Sequence, residues 1–440
     1  MFAPHGILIK NFFRPLSDIS LYLNYRLAGF HPVAYNLFNF ICHAIIVYLV
    51  FLISKRIAWI PAEKKPFFSW LSALLFLSYP FHNETVVWTV CRGTLLAPLF
   101  AVMAMLAAVS SLRPGWKYLL AGVFYFIGMA GYESVVPLPG IILLLVYDRS
   151  LPLRSYRPWV FWMGLSLALH IFVRILVSGI LFSGYLQYGL FDSAPYLLKW
   201  LKTAGRVFLP PMENPLFFVA FFILLVFILV LCVVALWKKR SKGDNGFPQF
   251  MRFSAIALSA MLVPLMFGMS TRTYEGDRLF YFPSIFIAWW LAWLLAALFP
   301  PRRALTAGAA LLVYQCIFLC INVSNWRKAS SITAQITGTI KAELRPGRRM
   351  LVVNVPEEYE GAHVLRNSFY DALWWTGVDS GRVRVANYVT TEQVRRLPSV
   401  VLPVYGNGRC FIAPATNISP SDTVGTDILY WNKEKIVRLQ

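Results

Sequence analysis

Apolar residues fall in long runs separated by short polar turns, and the run lengths predict membrane helices rather than elements of a soluble core. About 20 apolar residues are needed to cross ~30 Å of hydrocarbon as a helix. Ten segments reach or approach that length: 33–54, 67–80, 94–112, 117–131, 134–147, 158–182, 215–237, 252–270, 279–299 and 303–322. The second, fourth and fifth are short, which a span accommodates by tilting, kinking or thinning the bilayer. Pro137 and Pro139 interrupt the fifth. Irregular backbone at membrane depth must pack inside protein or line a wet cavity.

The turns between these runs alternate in charge. Lys55, Arg56, Lys64 and Lys65 follow the first run, and Arg113 and Lys117 follow the third. Then come Arg149, Arg154 and Arg157; Lys238, Lys239, Arg240, Lys242 and Arg252; and Arg302 and Arg303. The intervening turns are poor in bases and carry Glu84; Glu133; Asp192 and Glu213; and Glu275 and Asp277. Positive charge is retained on the cytoplasmic side, so the acid-bearing turns are expected to face outward. An even number of spans puts both termini outside as well.

Residues 1–32 are then an extracytoplasmic or interfacial segment with no apolar signal run ahead of it. Within the loop at 183–214, residues 194–208 read as an amphipathic surface helix. Leu197, Leu201, Ala204 and Phe208 share one face, with Lys199, Lys202 and Arg206 opposite. Beyond residue 323 the composition turns polar, and "RRMLVVNVPEEY", "SVVLPVYG" and "CFIAPA" read as short strands. Residues 324–440 are expected to form a small extracytoplasmic α/β domain, and 33–323 the transmembrane bundle.

Composition supports this division. Of 440 residues, 58% are hydrophobic and only 14% charged. The formal charge of +21 sits largely in short turns, so it is read as topology signal and attraction to anionic headgroups rather than as a nucleic-acid surface. Trp59, Trp70, Trp116, Trp159, Trp200 and Trp237 lie near predicted helix ends, where interfacial indoles belong. The six cysteines show no metal spacing; Cys91 and Cys410 fall on the same expected side, but nothing requires that they pair.

Candidate chemistry gathers on the outward turns. In "YPFHNETVVWTVCRGTLL", Asn83 suits a helix cap, and Glu84, Trp88 and Arg92 would then fall at i, i+4 and i+8 beside His82. Carboxylate, imidazole and guanidinium together suit a sugar phosphate and a proton transfer; they also suit a capped interfacial helix with a structural Glu–Arg pair. His170 and Arg174, four apart inside a run, mark a bundle interior or wet cavity, with Arg174 holding a lipid phosphate or snorkelling outward. "STRTYEGDRLFYFPS" packs Arg272, Glu275, Asp277 and Arg278 into one loop, suited to phosphate or sugar or simply solvated. Glu84 and Glu133 are carboxylates able to serve as base or divalent-metal ligand, although no spacing specifies a metal. No Walker, GxSxG, HExxH or dinucleotide motif is present.

Four of these stretches, in order, resemble the polytopic C-type (GT-C) glycosyltransferases, especially protein O-mannosyltransferase-like members and those carrying tetratricopeptide repeats. They are "FFRPLSDISLYLNYRLAGFHPVAYNLFNFICHAI", "YPFHNETVVWTVCRGTLL", "YESVVPLPGIILLLVYD" and "GDRLFYFPS". The resemblance implies a polyprenyl-phosphate sugar donor, a protein or glycan acceptor, and transfer on the extracytoplasmic face. It would put His82 and Glu84 at the active-site rim, Arg92 and Arg278 near the donor phosphate, and Arg174 in an embedded position common in the family. Thr94 and Tyr132 stand where the family has Asp and Lys. The family's first helix and its acidic loop, which supplies the usual catalytic Asp, would precede "FFRPL", and Asp18 is the carboxylate left to substitute.

The expectation is an all-α polytopic membrane bundle of about 10 transmembrane helices, GT-C-like, with a C-terminal α/β domain, in a bacterial inner membrane. Its expected activity is sugar transfer from a lipid-linked donor; the alternative is a non-catalytic membrane scaffold derived from such an enzyme. A secondary transporter is disfavoured because no repeated halves are visible.

Overall fold

The computed structural model describes residues 13–179, 196–212, 214–240, 246–271, 274, 276–365, 368–390, 403–406, 409–412, 426–432 and 435–438. The chain divides into two compact units, Met1–Cys320 and Ile321–Gln440.

The first unit is helical. In chain order it holds α1 (Pro15–Ala28), α2 (Pro32–Arg56), α3 (Lys65–Leu77), α4 (Asn83–Val86), α5 (Arg92–Val109), α6 (Pro114–Met129), α7 (Leu138–Val146) and α8 (Arg157–Ser178). Then follow α9 (Tyr196–Arg206), α10 (Pro215–Arg240), α11 (Gly246–Ala260), α12 (Leu262–Phe267), α13 (Tyr281–Leu298) and the start of α14 (Pro301–Glu343). Proline occupies the first turn of α1, α2, α3, α6, α7 and α8, where its missing N–H leaves no helical bond unmade.

Six helical segments among the described residues are long and apolar enough to cross a membrane: Pro32–Arg56, Thr89–Val109, Leu153–Ser178, Pro215–Lys239, Asp277–Leu298 and Pro301–Glu343. The chain is an integral membrane protein. The other four expected crossings fall on shorter helices, so a count of about ten is not confirmed among the described residues. Lys65–Leu77 and Pro114–Met129 have 13 and 16 residues. The fifth starts as a 3₁₀ turn at Glu133–Val135 before the nine residues of α7, and the eighth breaks between α11 and α12.

Packing centres on α5, which lies against α2 and α6, while α3 and α11 both pack on α13. Trp289 and Trp293 of α13 are fully buried, with the Phe68 ring edge-on to Trp293 and the Phe253 ring tilted against it, at 6.4 and 6.0 Å between centres. The start of α5 comes close to the turn after α6 because both segments carry glycine there: a Cβ on Gly93 would lie 2.5 Å from the Gly131 carbonyl oxygen. That approach brings the start of α5 against the turn after α6. By contrast α10 leaves Phe217, Ile223, Phe227 and Leu231 exposed, as a lipid-facing helix should.

The second unit is α/β. Its main sheet joins β1 (Arg349–Val353), β2 (Val383–Val385), β3 (Thr426–Trp431) and β4 (Ile436–Arg438) in the order β4-β3-β1-β2. β1 runs parallel to both neighbours and β4 closes the edge antiparallel. Met350–Val353 are all buried, the unbroken apolar run of a strand covered on both faces. From Ile321 on, α14 belongs to this unit. Ala329, Ile332, Ile336 and Ile340 recur at helical spacing and pack on Met350 and Val352.

Candidate functional site

The acid-bearing turns of the first unit converge, but not in the arrangement their spacing suggests. Glu84, Trp88 and Arg92 do not share a helix face. The helix begun at Asn83 stops at Val86, Trp88 is extended, and a new helix begins at Arg92 after the turn Thr89–Cys91. Thr85, Val86, Val87, Thr89 and Val90 are all β-branched, and their restricted side chains disfavour a continuous helix. Glu84 therefore pairs not with Arg92 but with Arg278, from the far end of the sequence. Its Oε2 accepts the Arg278 backbone N–H at 2.9 Å and its Oε1 accepts the Arg278 guanidinium. The Glu84 side chain is 3% exposed, that of Arg278 22%.

Next to this pair, Asp277 accepts from Arg206 at 2.5 Å. Arg206 corrects a second expectation. Placed by periodicity on the water-facing side of the surface helix, it is in fact completely buried. Its Nε donates to the Ser270 carbonyl at 2.8 Å and its Nη1 to the Leu209 carbonyl at 2.6 Å, while its guanidinium lies 4.6 Å from the Phe81 ring centre. Phe81 also lines an apolar cavity of about 300 Å³ with Tyr79, Phe208, Leu224 and Ile228.

Glu133 anchors a third group. It accepts from the buried Arg174 at 3.1 Å and lies 3.6 Å from Arg14. Arg174, expected to hold a lipid phosphate, thus holds a protein carboxylate, with His170 buried beside it. Arg14 stacks 4.3 Å from the Tyr132 ring centre. Burial pushes the Tyr132 phenol up, and the positive charges of Arg14 and Arg278 pull it partway back. Arg14 and Arg278 are about a quarter exposed. Sequence reasoning passed over Arg14, although it sits inside the "FFRPL" stretch.

Asp18 lies one turn along α1 from Arg14. Burial raises its carboxyl above the ordinary value, and Arg14 lowers it partway back. Among the described residues no hydrogen bond or ion pair holds this carboxylate, unlike Glu84, Asp277 and Glu133.

Two expected site residues are engaged elsewhere. Arg92 is completely buried and donates to Asn39 Oδ1 at 2.9 Å and to the Ser20 and Tyr35 carbonyls at 3.2 and 3.1 Å. It ties α1 and α2 to α5 rather than facing a donor phosphate. His82 is buried against His43, Phe76 and Tyr281, with its Nε2 2.8 Å from Ser284 Oγ. Burial and the neighbouring His43 hold its imidazole well below the ordinary value, so it is neutral at pH 7. Arg272 lies outside the described residues. Cys91 is buried and free, and among the described residues no group of His, Cys, Asp and Glu is placed to hold a metal ion.

The fold and site together define a polytopic helical membrane protein with a charged cluster where the acid-bearing turns meet. Its similarity to known proteins is partial. It is 33% identical over 116 residues to the protein O-mannosyl-transferase TMTC3 of Mus musculus, covering 26% of this chain and 12% of that protein. With the protein O-mannosyl-transferase TMTC4 of Homo sapiens it shares 34% over 114 residues, 24% of this chain and 15% of the relative. With the protein O-mannosyl-transferase F38B6.6 of Caenorhabditis elegans it shares 27% over 108 residues, 24% and 15% of the two chains. The chain therefore matches only a small part of each relative's length. No family model and no solved structure matches.

Proposed function

We propose that the protein transfers a sugar from a polyprenyl-phosphate donor to a protein or glycan acceptor at the membrane face bearing the acid-rich turns. One observation carries this reading: the partly open Arg14 guanidinium lies over the Tyr132 ring at 4.3 Å, and one turn along α1 from it stands the Asp18 carboxylate, unpaired among the described residues, while Arg278 is a second partly open guanidinium on the acid-bearing turns. The partial similarity to protein O-mannosyl-transferases supports it, and so does the apolar cavity beside Arg206, which suits a polyprenyl chain. The named relatives are animal proteins and lend nothing to a bacterial inner membrane.

In this mechanism the acceptor hydroxyl attacks the anomeric carbon and its proton passes to Asp18. The bond from that carbon to the phosphate oxygen breaks, and the departing phosphate is held by Arg14 and Arg278. Asp18 suits the base better than Glu84. Glu84 already accepts from the Arg278 N–H and guanidinium, which stabilise its charge and weaken its basicity.

The test is transfer of radiolabelled sugar from a polyprenyl-phosphate mannose to a peptide acceptor by the purified full chain. Asp18→Asn should lower turnover by about 100-fold without loss of the folded protein. Only the ionised base works, so the wild-type rate should rise with pH through a value above that of an ordinary aspartate. No donor binding by the wild type, or full activity in Asp18→Asn, would overturn the assignment.

A second reading, a membrane scaffold derived from such an enzyme, is favoured by the fact that Glu84, Asp277 and Glu133 are all already paired with arginines. It predicts no donor binding and a silent Asp18→Asn.

A further inference from the structure

At the other end of the helices lies a larger cavity, about 830 Å³, that the transferase reading does not use. Four cations from four separate elements line it: Arg56 from the last turn of α2, Lys117 from the first turn of α6, Arg149 after α7, and Arg252 in α11. Asp148 is the lone carboxylate in the lining.

The walls are built rather than loose. The Arg252 guanidinium lies 4.8 Å from the Trp59 ring centre and 5.6 Å from that of Tyr147, and it donates to the Tyr147 carbonyl. Trp59 is fixed in turn: its Nε1 donates to the Leu145 carbonyl at 3.1 Å, and its own carbonyl accepts from Gln249 Nε2 at 2.7 Å. The carboxylate of Asp148 closes its own turn, accepting from the Ser150 N–H at 2.9 Å and the Ser150 hydroxyl at 2.8 Å. Among the described residues no ion pair engages Arg56, Lys117, Arg149 or Arg252, although Arg252 feels the attraction of Asp148 as well as the repulsion of Arg149. Like charges gathered around one hollow raise its affinity for an anion. Ala108, Val109 and Leu144 add an apolar part to the lining.

We infer that this cavity is a binding site for a phosphate-bearing anion, its basic side chains taking the phosphate and its apolar lining the body attached to it. The chemistry is shared by a phospholipid headgroup and by soluble phosphate, and the apolar part of the lining favours the lipid. The inference rests on this end of the bundle alone, so it stands or falls separately from the transferase reading.

Native mass spectrometry of the purified full chain, incubated with equal amounts of phosphatidylglycerol and phosphatidylcholine, provides the test. The wild type should retain the anionic lipid over the zwitterionic one. The exposed pair Arg56→Glu/Arg149→Glu should cut that preference by about tenfold or more, since each cation near an anionic surface contributes about a factor of five. Reversal of the exposed Arg302 and Arg303, away from the cavity, should leave it intact. A parallel titration with inorganic phosphate separates the sources: phosphate binding lost in the same double variant, without lipid preference, keeps the site and makes its ligand soluble. No preference for anionic lipid and no phosphate binding in the wild type, or a preference that survives the double reversal, would overturn the inference.

Discussion

The two ends of the helical unit treat charge in opposite ways. At the acid-rich end, Glu84, Asp277 and Glu133 each find an arginine from a distant part of the chain, and Arg92 and Arg206 are sealed inside the protein. At the basic end, four cations share one hollow whose single carboxylate is occupied with its own turn. The first arrangement holds helices together; the second leaves charge available. Charge pattern alone distinguishes the ends by sign. It does not say that one set is spent on structure and the other is not.

That contrast can be broken most severely at Arg206. Removing one partner of a buried ion pair strands the other, so Arg206→Met should destabilise the protein by about 3–5 kcal/mol, read as a fall in thermal midpoint in detergent. Adding Asp277→Leu should restore much of the loss, because the desolvated carboxylate then disappears too. A double variant no better than the single would show that Arg206 stabilises mainly through the Ser270 and Leu209 carbonyls.

A smaller effect is expected at Gly93. Its Cβ would collide with the Gly131 carbonyl, forcing α5 from the turn that carries Glu133. Gly93→Ala should cost about 1–3 kcal/mol by overpacking, seen in the same melting experiment. An unchanged midpoint would mean that the two segments separate easily there. At the basic end the expected change is smallest. Arg56→Glu replaces an exposed side chain that is unpaired among the described residues and should shift stability by no more than about 0.5 kcal/mol. A loss as large as that at Arg206 would erase the distinction between the ends.

Much of the helical unit was legible from hydrophobic runs, because a helix in hydrocarbon satisfies its own backbone and needs little from its neighbours. Pro32–Arg56 and Pro215–Arg240 end within a few residues of where their apolar runs end. Legibility failed where contacts between elements intervene. The i, i+4, i+8 pattern of Glu84, Trp88 and Arg92 assumed a helix that β-branched residues interrupt, so Glu84 turned to Arg278. Arg206 looked like the polar side of a surface helix because periodicity records which residues share a face, not which face meets the protein. Arg14 carried no periodic signal; its place was set by the packing of α1 against α5.

What the sequence determined by itself was the membrane class, the long spans, the alternation of charge between turns and the polar α/β character of the last hundred or so residues. These follow from local composition, since transfer of a side chain or a peptide group into hydrocarbon depends little on distant partners. Only the tertiary structure decided which carboxylates are already neutralised, which guanidiniums remain open, and that four scattered basic turns close around one cavity. Those outcomes depend on groups brought together from positions as far apart as Glu84 and Arg278, and Coulomb energy is set by separation in space rather than along the chain.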